Sequence, residues 1–199
     1  SLSCSEIEPD LLHENQVNRW RFVTERNGLG ADYVNTVFED SRGGMWVGTM
    51  GGVSLITAEG VMSYSVADGL LDNAVFAISE DREGNIWVGT RRGVNIFSDG
   101  DWFYFGFFYG APVFALLHLR DDQGMLVGTG GYGIFRYNYE TPGFSLFSAI
   151  DKCEACNSIN AMIQSREGAL WVATYDGARR LRGNFVTQFD ETDGLAGTI

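Results

Sequence analysis

Apolar residues in this chain fall in short bursts separated by polar or glycine-rich steps, and no stretch repeats them at the 3.6-residue period of a capped amphipathic helix. Val75, Phe76, Ala77 and Ile78 are apolar on consecutive positions, which suits a strand buried on both faces within a stacked array. A second kind of burst reads Trp-Val-Gly-Thr, at Trp46–Thr49 and Trp87–Thr90. A third, polar-aromatic kind occupies Val61–Val66, Trp102–Phe107, Phe144–Phe147 and Phe185–Phe189. Asp40, Asp81 and Ser165 each precede a glycine by three residues, the chemistry of a tight hairpin turn, and Asp121–Gly124 is a version one residue shorter. A further small-residue turn holds Gly52, Gly93, Gly133 and Gly177. The elements predicted are four strands in succession, a to d, with little helix.

That succession recurs. "GMWVGTMGGV" at Gly44–Val53 returns as "NIWVGTRRGV" at Asn85–Val94, and weaker copies read "GMLVGTGGYGI" at Gly124–Ile134 and "ALWVATYDGA" at Ala169–Ala178. The anchor position therefore runs Trp46, Trp87, Leu126, Trp171, with spacings of 41, 39 and 45 residues. Ahead of each anchor lies a strand a: Val34–Asp40, Ala74–Asp81, Val113–Asp122 and Ile159–Ser165. Further out, "NGL" at Asn27–Leu29 recurs as "DGL" at Asp68–Leu70 and Asp193–Leu195. The fold class expected is all-β: a β-propeller of four-stranded antiparallel blades, with about four complete repeats and partial strands at both ends, open or truncated as an array. Residues 1–19 read as a leader or linker and 20–199 as propeller, with Trp20–Thr24 an outer strand that has no a, b and c of its own. Half a blade's pairing unmet at each end leads to the expectation of end-to-end self-association, or of the leader covering the gap. Trp46, Trp87 and Trp171, in fixed register beside Val-Gly-Thr, are expected in the core.

Composition narrows the function. With 14 Lys+Arg against 26 Asp+Glu the formal net charge is −12, a field that repels a phosphate backbone, so nucleic acid is excluded as a general partner. No apolar run is long enough for a membrane-spanning helix. Lys152 is the one lysine; every other cation is arginine, whose planar fork suits carboxylates and sugar oxygens.

The pattern V-x-x-I-x-E-D-x-x-G-x-I-W-V-G-T-x-x-G-V, carried almost letter for letter by Val75–Val94, resembles the repeat of the two-component regulator propeller family. The resemblance extends over roughly Trp20–Leu195. It implies a non-catalytic, extracytoplasmic propeller, periplasmic or at the bacterial cell surface, that senses a ligand for a hybrid histidine kinase or docks other proteins. The ligand class it implies is a saccharide or another small polar molecule. Three features depart from it: Leu126 replaces the tryptophan, the fourth copy lacks the x-G-L signal, and the family's propellers have more blades than this chain supplies.

Other candidate chemistry reads as scaffold. "GTGGYG" at Gly128–Gly133 fits a dinucleotide fingerprint in spelling, but the repeat places it in the b–c hairpin instead of between a strand and a helix. The Glu39–Asp40, Glu80–Asp81 and Asp121–Asp122 pairs recur at one hairpin, which points to turn-capping instead of acid/base or calcium chemistry. His13 and His118 have no metal or hydrolase context, so no cofactor, no metal and no enzyme are expected; a propeller-type lyase or glycosidase ranks last. Cys153 and Cys156 form C-E-A-C in the longest d–a connection, and the compartment implied by the resemblance makes them a disulfide candidate, with free thiols the alternative. Cys4, in "SLSC", is a candidate lipid anchor or a linker residue.

Because strand a begins and strand b ends on one rim, the d–a and b–c loops gather there, and these loops are where the chain departs from its own repeat. The candidate ligand-binding residues are Tyr33, Asn73, Arg91, Arg92, Tyr109, Tyr132, Tyr175 and Asp176. Two functions from different classes follow: a ligand-sensing module of a signalling receptor, or a protein-interaction scaffold of a cell-surface assembly.

Overall fold

The computed structural model of the chain describes residues 22–105, 110–120, 124–148, 158–183 and 185–195. Among them are four separate four-stranded antiparallel sheets, each ordered a-b-c-d as in the sequence. Blade 1 comprises β1 (Val34–Glu39), β2 (Met45–Thr49), β3 (Val53–Ile56) and β4 (Val61–Tyr64). Blade 2 comprises β5 (Val75–Glu80), β6 (Ile86–Thr90), β7 (Gly93–Ser98) and β8 (Asp101–Phe105). Blade 3 holds β9 (Val113–His118), β10 (Met125–Thr129), β11 (Ile134–Asn138) and β12 (Gly143–Ser148), and blade 4 holds β13 (Ile159–Gln164), β14 (Leu170–Thr174), β15 (Gly177–Arg182) and β16 (Phe185–Phe189). The chain is thus an all-β propeller array. Strands β1, β5, β9 and β13 neighbour one another in turn, so strand a is the inner strand beside the axis and strand d lies outermost.

Three cores fill the spaces between blades. Trp46, Val53, Val75, Ile78, Ile86 and Val88 join blades 1 and 2; Trp87, Val94, Val113, Met125 and Val127 join blades 2 and 3; Leu126, Ile134, Ile159, Leu170 and Val172 join blades 3 and 4. The glycine of Trp-Val-Gly-Thr has its reason here. A Cβ on Gly48, Gly89 or Gly128 would lie 2.6 Å from Val75, 2.7 Å from Val113 or 2.6 Å from Ile159, the first residue of the next blade's inner strand. Sheets this close leave no room for a methyl group.

The Glu-Asp turn is likewise a physical device. Asp81 Oδ1 accepts the amides of Glu83 and Asn85 at 3.0 and 2.9 Å, while its Oδ2 accepts the Trp87 indole N–H at 2.8 Å. Asp40 repeats the arrangement with Arg42, Gly44 and Trp46 at 3.0, 2.8 and 2.8 Å. One carboxylate closes the hairpin and satisfies the polar edge of the largest core side chain. The x-G-L signal is a 3₁₀ turn: Ser65 and Asp68 cap Val66–Asp68 reciprocally, Gly69 ends it at φ +113°, and Leu70 turns into the core. Glu25–Asn27 and Glu191–Asp193 repeat it.

Three expectations need correction. Trp46 and Trp87 are buried at 2% and 1% exposure, but Trp171 is only half-buried, because among the described residues no blade packs on its side of blade 4. Strand a is covered on both faces in blade 2, whereas β1 and β13 alternate with exposed residues, since among the described residues blades 1 and 4 each have a sheet neighbour on one side alone. Phe22–Thr24, the described part of the outer strand expected at Trp20–Thr24, joins no sheet; an outer strand pairs with strand c, and all four strands c described already have partners. The shorter turn expected at Asp121–Gly124 falls mostly outside the described residues, as do Cys4, Tyr109, Cys153 and Cys156.

Candidate functional site at the loop rim

All four inner strands carry a β-bulge at the same register, at Asn35, Phe76, Phe114 and Asn160. The bulge adds one residue against the partner strand and re-aims its side chain. These four residues sit on the innermost strand, at the end where the d–a and b–c loops gather. Phe76 and Phe114 lie with ring centroids 5.1 Å apart and half-buried, while Asn35 and Asn160 are exposed. Asn35 Nδ2 donates to the Val75 carbonyl at 2.8 Å, which fixes its amide between the first two blades.

The sequence points to this rim as the candidate site and does not reveal the bulged positions beneath it. Consecutive apolar residues such as Val75–Ile78 read as strand core, and the extra residue of a bulge shows only when both strands are seen paired. The asparagine at the same register in blades 1 and 4 is the signal available: a polar residue inside an otherwise apolar strand a.

Around these positions stand the loop tips. In blades 1 to 3 the b–c tip is tied to the start of its own strand a, through Met50 N–H to the Tyr33 carbonyl (3.1 Å), Arg91 N–H to Ala74 (3.0 Å) and Gly130 N–H to Pro112 (2.8 Å). The backbone tie holds the tips over the bulges and leaves the side chains of Tyr33, Arg91, Arg92, Tyr132 and Tyr175 exposed. Asn73 does structural duty as well: its Oδ1 accepts the Val66 amide at 2.8 Å and steadies the 3₁₀ turn. Asp176 pairs with Arg179 at 3.4 Å, and Arg179 is itself 1% exposed, held by Thr174 Oγ1 (3.0 Å) and Gln188 Oε1 (3.3 Å). Gly128–Gly133 spans the end of β10 and the b–c loop, leading into a strand as the repeat requires.

Chemically the rim offers aromatic rings, carboxamides and the Arg91 and Arg92 forks, the groups that stack on a sugar ring and bond its hydroxyls. Among the described residues no helix is long and apolar enough to cross a membrane.

Residues 28–51, 69–92 and 154–176 match the family model for the two component regulator propeller. No protein of curated function matches the sequence. Among solved structures, the chain is similar to the extracellular domain of BT3049, assigned as a hybrid two component system of B. thetaiotaomicron, with a TM-score of 0.67 and 22% identity over 84% of this chain and 24% of that one. The corresponding domain of BT4673 from the same organism gives a TM-score of 0.66 at 20% identity, over 79% of this chain and 22% of that one. A catalytically inactive virginiamycin B lyase from Staphylococcus aureus with quinupristin gives 0.63 at 17% identity, over 79% and 55%. The chain spans about a quarter of the length of the two B. thetaiotaomicron structures, and at these identities the likeness is one of fold. Three of the four anchor repeats fall in the segments that match the two component regulator propeller model, and the structure sets them on a propeller fold.

Proposed function

We propose that this array is a non-catalytic, ligand-binding propeller module of an extracytoplasmic bacterial two-component receptor, and that it takes a saccharide or similar small polar ligand at the loop rim. The observation that carries the reading is the bulge at one register of all four inner strands, which sets Asn35, Phe76, Phe114 and Asn160 side by side beneath the variable loop tips. Elsewhere the repeated residues are occupied in holding the blades together; at the rim they differ from blade to blade, as a recognition surface must. Tyr33, Arg91, Arg92, Tyr132, Tyr175 and Asp176 form the wall in this reading. Tyr109 joins it on sequence alone, and Asn73 contributes only its free amide hydrogens.

Periplasmic or surface location, a lipid anchor at Cys4 and a Cys153–Cys156 disulfide belong to the same proposal. The fold likeness to extracellular receptor domains supports the first. The test is calorimetric titration of the chain with a panel of neutral and acidic oligosaccharides. At least one should bind, and Phe76→Ala should weaken it about tenfold or more, the loss expected when a stacking face is removed. If nothing in the panel binds, and surface variants at Arg91 and Tyr132 instead abolish capture of a partner protein, the scaffold reading replaces this one.

A further inference from the structure

Blade 4 presents an uncovered face built to the same plan as two covered ones. Trp46 stacks on Tyr64 (6.3 Å, 22°), Trp87 on Phe105 (6.2 Å, 21°) and Trp171 on Phe189 (5.3 Å, 24°). In the two closed interfaces the following blade sets an aromatic pair from its strands c and d edge-on against the tryptophan. Phe97 and Trp102 meet Trp46 at 5.6 and 6.5 Å; Tyr137 and Phe144 meet Trp87 at 5.2 and 6.4 Å. Phe97 and Trp102 are cross-strand partners, as are Tyr137 and Phe144, so each pair is one register position of its blade. Where blade 3 has Leu126 in place of tryptophan, the following blade has Leu181 and Val186 at that register position. A tryptophan face is matched by an aromatic pair, and the leucine face by Leu181, with Val186 beside it 53% exposed.

A second feature sharpens the match. The glycine that admits the next blade's valine or isoleucine at Gly48, Gly89 and Gly128 is Ala173 in blade 4, where the methyl group stands exposed. With the other interfaces as the guide, a valine opposite Ala173 would be met at less than 3 Å, closer than real side-chain contacts come.

We infer that the open face of blade 4, made by Ile163, Trp171, Ala173, Arg180 and Phe189, docks a propeller blade other than this chain's own first blade. That partner carries an aromatic pair at the Phe97/Trp102 register position and a residue no larger than alanine or serine at the start of its inner strand. Blade 1 fits neither requirement: it has Ile56 paired with Val61 at the one position and Val34 at the other. A third contact does not discriminate. Ser41 donates from N–H and Oγ to Glu80 of the next blade (2.8 and 2.6 Å), and the Arg120 amide donates to Gln164 (3.0 Å); Glu39 of blade 1 could serve the Arg166 turn equally well.

The test compares the full chain with two extended forms of it. One carries, after Ile199, a second copy of residues 69–105 in which Val75→Ala has been made; the other carries that copy with Phe97→Ile and Trp102→Val added. Hydroxyl-radical footprinting reads Trp171 against Trp46, which is buried and lies outside the copied segment. The aromatic extension should lower Trp171 oxidation at least fivefold and the aliphatic one less than twofold; equal protection by the two overturns the inference. It is also overturned if the unextended chain sediments as a concentration-dependent dimer with Trp171 protected, since a second copy is then the occupant, or if Trp171 is protected in the monomer until residues 1–19 are removed. Should the extensions misfold, the pairing rule itself is tested between blades 1 and 2 by a double-mutant cycle. Trp46→Leu combined with Phe97→Ile and Trp102→Val should lower the urea midpoint by less than the sum of the separate changes; strict additivity refutes the rule.

Discussion

Asp81 carries unusual weight for one surface-turn residue, because its two oxygens serve two backbone amides and the buried Trp87 indole at once. Replacing it by alanine strands an indole N–H in a dry interface and loosens the hairpin, so Asp81→Ala should cost about 2–4 kcal/mol, read from the urea midpoint. The tryptophans themselves divide. Trp87→Ala should cost about 3–5 kcal/mol, as for a fully enclosed aromatic, whereas Trp171→Ala should cost about 1–2 kcal/mol because part of its surface is in water already. Comparable losses from the two would contradict the half-burial of Trp171. Both tryptophans carry the same motif in the sequence, and the Asp-to-Trp spacing of the turn is legible there. What separates them is a blade packed on one and not on the other, a contact between residues far apart in the chain that no local pattern records.

At the scale of elements, strand order and nearly every strand boundary follow from the repeat, since turn glycines and aspartates punctuate each strand. The x-G-L signal is legible as a recurrence, but its nature as a reciprocally capped 3₁₀ turn becomes clear only when Ser65, Asp68 and Gly69 are seen together. Gly69 sits at φ +113° with a Cβ position 3.3 Å from the Trp102 Cβ, so Gly69→Ala meets backbone strain and crowding together. A loss of about 1–2 kcal/mol is expected in thermal or urea unfolding. The bulges escape a reading of single strands because they are a miscount between two. A pH dependence belongs at this scale also. Burial, with the charges of Asp81 and Glu83 adding to it, raises the Tyr137 hydroxyl above the ordinary 10.0. Its neutral form is favoured in the fold, so this contribution is intact below pH 10 and is lost as pH rises through the folded value. Urea midpoints should therefore fall more steeply as pH rises above 10 in the parent chain than in Tyr137→Phe; identical slopes would show that Tyr137 does not titrate against those neighbours.

As a whole, the molecule is a succession of blades in which each of the three cores is shared by two neighbours. Stability in such an array is close to a sum of nearest-neighbour terms, so amide exchange should be slowest in β5–β11 and faster in β1 and β13, whose outer faces are uncovered. Uniform protection across all four blades would instead mark a single cooperative unit. The glycine of the second strand gives this array one more property. Blades 1, 2 and 3 each offer a notch the size of a methyl group, and the blade that follows fills it with a branched side chain; at Ala173 the notch is already filled. Exchange of whole blades among the first three positions keeps every notch filled, although it breaks the matching of aromatic pairs to tryptophan faces, while moving blade 4 forward in the line jams the notch itself. The sequence of blades is thereby written as a series of empty and occupied volumes, a grammar of assembly that costs a single carbon atom per letter.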